Sequence, residues 1–120
     1  MQAAQITNLE SGAVLADRAG LARTLLRRAV GLLSRASLPE GEGLVFPRCN
    51  SIHTWFMRFP IDVIFVRQGR ILRVVPEVPP GRVLLAWGAD TTIELPAGTI
   101  ARTSTTQGQA LQITSSEQRV

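Results

Sequence analysis

Several residue types that usually announce a chemistry are scarce or missing. The 120 residues include a single cysteine, Cys49, so no intrachain disulfide can form and the fold must rest on packing. There is one histidine, and neither lysine nor tyrosine occurs, so all 13 basic residues are arginines. Few groups therefore titrate between neutrality and the arginine range. The isoelectric point of about 11.3 reflects that titration gap more than a dense positive field, and it is no argument for nucleic-acid binding. No apolar run approaches the roughly 20 residues a membrane helix needs, and the opening MQAAQITNLE lacks a basic segment followed by an apolar one. The expectation is a cytoplasmic protein without a membrane span.

With 45% apolar and 18% charged residues the chain has the balance of a folded globule. Its length fits one domain, 1–120, that buries roughly two thirds of its unfolded surface. Neither a repeat nor a low-complexity run interrupts it. The polar end, Thr114 to Val120, reads as a loose tail.

Gln5 to Leu9 and Ala13 to Ala16 read as short strands around the turn Glu10-Ser11-Gly12. From about Gly20 to Ser34 the period changes, with Leu21, Leu25, Ala29 and Leu32 at helical spacing and Leu26, Val30 and Leu33 widening the stripe. This predicts an amphipathic helix over about 20–34, with Asp17 near its start as a cap. After the breaker LPEGEG, strands are expected at Leu44 to Phe46, Ser51 to Met57, Ile61 to Val66, Ile71 to Val75, Val83 to Trp87, Thr92 to Leu95 and Ala110 to Ile113. Gln68-Gly69 reads as a two-residue hairpin turn that sets Arg67 opposite Arg70. The fold class is mainly β, α+β at the margin: a sandwich or partial barrel covered by one helix.

Three stretches carry a family resemblance: RRAVGLLSR (Arg27 to Arg35), CNSIHTWFMRFPIDVIFV (Cys49 to Val66) and TIELPAG (Thr92 to Gly98). In the middle one His53, Met57, Pro60, Asp62 and Phe65 stand at spacings that resemble domain-of-unknown-function family 192, found in bacteria and archaea. Glu94, Leu95, Ala97 and Gly98 match a second signature. The glycine-aspartate pair typical of the family is here Gly108-Gln109, which removes a carboxylate. The resemblance implies a jelly-roll-like β-sandwich with one or two helices and implies no activity.

Cys49, His53 and Met57 are of the soft or borderline types that bind copper(I) or zinc. In an extended strand, residues four apart are ~13 Å apart and cannot share an ion, so no metal site and no cofactor are assigned. The same distance weakens a Cys49–His53 nucleophile pair. If Ser51 to Met57 and Ile61 to Val66 form a hairpin around Arg58-Phe59-Pro60, Met57 faces Ile61 and His53 faces Phe65. Asp62 then lies on the other face with Thr54 and Phe56.

On one reading His53 is a structural histidine and Asp62 ties a loop or caps a backbone amide. On the other, His53, Thr54, Met57, Asp62 and Glu94 line a site for a small polar ligand. Arg67, Arg70 and Arg73 form a possible anion-binding set. The function expected is a non-catalytic domain binding a small ligand or partner. The alternatives are a small hydrolase-like or other enzyme using His53 as acid or base, and an anion-binding interaction protein acting through the arginines of the 67–73 hairpin. Nucleic-acid and membrane partners are not expected.

Overall fold

The hairpin turn forms as its sequence predicts. Arg67 stands opposite Arg70, and Gln68 (φ 50°) and Gly69 (φ 77°) both adopt positive φ, the type I′ geometry whose twist suits two paired strands. The computed structural model describes residues 3–22 and 36–115. In chain order these form β1 (Ala3–Asn8), β2 (Val14–Leu21), β3 (Glu42–Pro47), β4 (Ser51–His53), β5 (Ile61–Arg67), β6 (Arg70–Val78), β7 (Val83–Leu85), β8 (Thr91–Pro96), helix α1 (Thr99–Thr103) and β9 (Leu111–Ser115).

Seven strands make one sheet in the order β6-β5-β8-β3-β2-β1-β9, antiparallel except for β2 beside β3. The sheet curls until its two edges meet at one end. Arg70 bridges Ala110 there, and Gly69 and Ile71 exchange backbone hydrogen bonds with Leu111 and Gln109 at 2.8 and 2.9 Å. The partial barrel is therefore the correct member of the predicted pair. Strands β4 and β7 form a separate two-stranded ribbon.

Alternation along the strands sorts the core into two clusters. Ile64, Val66, Ile93, Leu95 and Val45 point into the barrel with Ile6, Leu15, Ile71, Ile100 and Leu111. Ile61, Val63, Phe65, Leu44 and Phe46 lie on the outer face, where Met57, Leu38, Ile52 and Leu84 cover them. Because β5 is covered on both faces, its run IDVIFV is buried throughout, a strand with no alternation to read.

Four expectations need correction. Gly20 and Leu21 continue β2 alongside Leu44 and Val45, so the predicted helix does not begin there; the rest of that stretch, 23–34, lies outside the described residues. Thr114 and Ser115, the start of the expected tail, belong to β9 and pair with Gln5 and Ala4; the rest of that stretch, 116–120, lies outside the described residues. The strand expected at Ser51 to Met57 stops at His53 and bends into a turn closed by Met57 N–H donating to Thr54 O at 3.3 Å. Finally, β4 and β5 do not form a hairpin. Both edges of β5 are already hydrogen-bonded, to β6 and β8, which leaves β4 to pair with β7, His53 opposite Val83.

Candidate functional site

The residues singled out in the sequence part company in three directions. Asp62 lies at one end of the barrel interior, where Oδ1 accepts the Glu77 N–H at 2.8 Å and Oδ2 the Ile100 N–H at 2.7 Å. Glu77, with φ 52°, sits in the bulge that β6 forms opposite Asp62. The N-cap position of α1 is Gly98, which offers no side chain, so Asp62 serves the helix from another strand and docks it as a plug. Thr54 is likewise spent internally. Its hydroxyl donates to Pro79 O at 2.8 Å and accepts the Arg82 N–H at 2.9 Å, clasping the loop before β7.

Cys49, His53 and Met57 meet three different surroundings. The Cys49 thiol donates to Ser51 O at 3.0 Å, Met57 is buried in the outer cluster, and His53 is exposed. No described carboxylate reaches His53; its ring rests near Trp55, with centroids 5.1 Å apart and planes tilted by 31°.

Glu94 occupies the outer sheet face between Leu44 and Val63. It is 5% exposed, and no described residue donates a hydrogen bond to its carboxyl. Burial pushes its pKa from the usual 4.5 up to about 8, so near neutrality it is a protonated acid. The Gly108-Gln109 departure has a local substitute for the lost carboxylate. Gln109 Oε1 accepts the Thr106 N–H and the Asn8 Nδ2–H, both at 2.8 Å.

Of the three hairpin arginines, Arg70 turns away, lying 3.7 Å from Glu10 and donating to Gly108 O. The other two turn to the ribbon. Arg73 Nη1 donates to Leu85 O at 3.0 Å, and a Cβ at Gly88 would meet Arg67 Nη1 at 3.0 Å.

Sequence reasoning missed the surface these arginines border. Ala86–Ala89 and Thr54–Met57 are four-residue turns closed by hydrogen bonds of 3.1 and 3.3 Å. Each has positive φ at its third residue alone, Gly88 (91°) and Phe56 (67°), the type II pattern. Each also presents a tryptophan at its second residue, Trp87 and Trp55. Between the turns, Ser51 and His53 pair with Leu85 and Val83, and the side chains of all four face outward. The result is an apolar strip along the ribbon: Trp87 is 82% exposed, Leu85 42%, Val83 62%, Trp55 48% and Phe56 84%. An exposed Phe in a positive-φ position that glycine would fill without strain is the local oddity that marks the strip.

The strip is bordered by cations. Residues 48–58 and 81–88 contain Arg48, Arg58 and Arg82 and no acidic residue. Among the described residues, these three, Arg67 and Arg73 form no ion pair. Elsewhere, an open cleft of about 400 Å³ beside β2 is lined by Asp17, Arg18, Glu40 and Arg102, whose charges already pair as Arg18–Asp17 and Arg102–Glu40. No helix among the described residues is long and apolar enough to cross a membrane.

Comparison with known proteins agrees with this architecture. The sequence model of the DUF192 family, an "Uncharacterized ACR", matches residues 6–113. No curated protein matches the chain. A crystal structure of a protein of unknown function from Novosphingobium aromaticivorans DSM 12444 is similar with TM-score 0.77 and 28% identity, over 92% of this chain and 83% of that one. A second, described as a "putative transcription regulator" from Sinorhizobium meliloti 1021, has TM-score 0.79 and 21% identity, over 93% and 92% of the two chains. At that identity the second likeness concerns the fold alone.

Proposed function

We propose that this chain, which belongs to the DUF192 family, is a non-catalytic partner-binding domain whose contact surface is the outer face of the β4–β7 ribbon. The observation that carries the reading is the exposure of Trp55, Phe56, Val83, Leu85 and Trp87 in one strip beside arginines that form no ion pair among the described residues. Leaving that much apolar surface in water is costly, and tryptophan and arginine are the side chains that contribute most when such a surface is covered. The small-ligand version of the reading has less support. Asp62 and Thr54 give their polar atoms to backbone partners and are not gathered with His53. Acid–base catalysis lacks a described partner for the imidazole, whose one ring contact is Trp55.

Capture from cell extract on immobilised protein, run beside a Phe56→Ala/Trp87→Ala double variant, tests the proposal. Both side chains are exposed, so the variant should melt like the parent. The expected result is a bound species retained by the parent and lost from the variant. Equal retention by both would move the contact surface elsewhere.

A further inference from the structure

Resting on the ribbon reading, and against the expectation of no membrane partner, we infer that the partner is an anionic phospholipid surface, which the strip meets by lying in the headgroup layer. The charge argument comes first. The two segments that form the ribbon and its turns carry arginines and one histidine but no acid, and Arg67 and Arg73 reach the same end. The nearest carboxylate downstream, Asp90, is held at the β5–β6 turn by the Gln68 N–H at 2.8 Å and the Thr91 hydroxyl at 3.0 Å; it keeps its charge, and Arg48, Arg58, Arg67, Arg73 and Arg82 outnumber it. A second copy of this face would bring arginines against arginines, so the covering surface must be negative.

The kind of apolar side chain then separates the anionic partners. Single-stranded nucleic acid rewards open ring faces, on which bases stack. Here the rings stand at the two ends of the ribbon, with aliphatic Val83 and Leu85 between them, side chains that stacking leaves in water. One face of the Trp55 indole is also shared with His53. A bilayer interface accepts aromatic and aliphatic groups alike and demands no matching shape. Phe56 and Trp87 are more than four-fifths exposed on turn tips, standing free and not lodged in a recess. Tryptophan favours the headgroup level, and arginine can lay its stem on apolar surface while its fork holds a phosphate.

The test uses the full chain with vesicles of phosphatidylcholine alone and of phosphatidylcholine with about a third phosphatidylserine, read by co-sedimentation and tryptophan emission. Binding to the anionic vesicles with a blue shift, weakened by salt, is expected. Phe56→Ala/Trp87→Ala should weaken it roughly tenfold or more, and Arg67→Gln/Arg73→Gln by a similar factor with a shallower salt dependence. Melting curves verify that both variants fold. Absence of binding to anionic vesicles, binding equal for all variants, or binding to a thymidine oligonucleotide that such vesicles do not displace would each overturn the inference. If vesicles fail while the extract-capture contrast holds, the lipid assignment falls and the partner-binding reading stands; if both fail, both fall.

Discussion

At the plugged end of the barrel Asp62 gives each carboxylate oxygen to a backbone amide and is wholly buried, whereas on the ribbon His53 has one described ring neighbour, the half-exposed Trp55. Both residues lie within ten positions of each other in the chain. Their difference shows how little sequence proximity says about role: one closes a fold, the other belongs to a surface that no described residue covers. Glu94 lies between these extremes, buried like Asp62 but without hydrogen bonds from described residues.

The contrast is most exposed to failure at Asp62. Asp62→Ala orphans two amides at the base of α1 and the β6 bulge, and urea unfolding should show a loss of about 3–5 kcal/mol; a loss below 1 would remove the plug role. Glu94 comes next. Its folded-state pKa of about 8 lies above the 4.5 of the unfolded chain, so between those values the folded state holds more protons and stability falls as pH rises. Glu94→Gln should flatten that slope and raise stability at pH 8 by about 2–3 kcal/mol, measured by denaturation across the pH range. Phe56→Gly should stabilise by roughly 0.5–1 kcal/mol, because glycine relieves the positive φ and little burial is lost; a lower melting temperature would argue that the ring is packed. Smallest of all, His53→Ala should change stability by less than about 0.5 kcal/mol, and a larger loss would return the histidine to a structural role.

What could be read in advance was local. The Gln68-Gly69 turn fixed the Arg67–Arg70 register because turn type and strand pairing are coupled over four residues. The strand positions around Leu44, Ile64 and Ile93 followed from β-branched runs between breakers. The bend after His53 was hidden because its third residue is Phe56 and not the glycine or asparagine that would advertise positive φ. The partner of β5 was hidden for a different reason. Antiparallel pairing with β8 joins Asp62 to Leu95 across the whole of β6 and β7, and nothing at either position encodes the match. The expectation that Asp62 caps a backbone amide is met at Ile100, but the helix it serves, five residues beginning at Thr99, is too short for a periodic signal. The ribbon strip has no sequence signature, because Val83, Leu85 and Trp87 read as ordinary strand residues and only the occupied edges of β5 leave them exposed.

The position of β1 has a consequence for how the protein is made. It is not an edge: β2 takes one side and β9 the other, with Ala4 opposite Ser115. During synthesis β1 can pair with β2 early, but its second row of amides and carbonyls has no native partner until β9 has emerged. Until then the nascent domain carries an unpaired strand margin, and β9 is the strand that seals it.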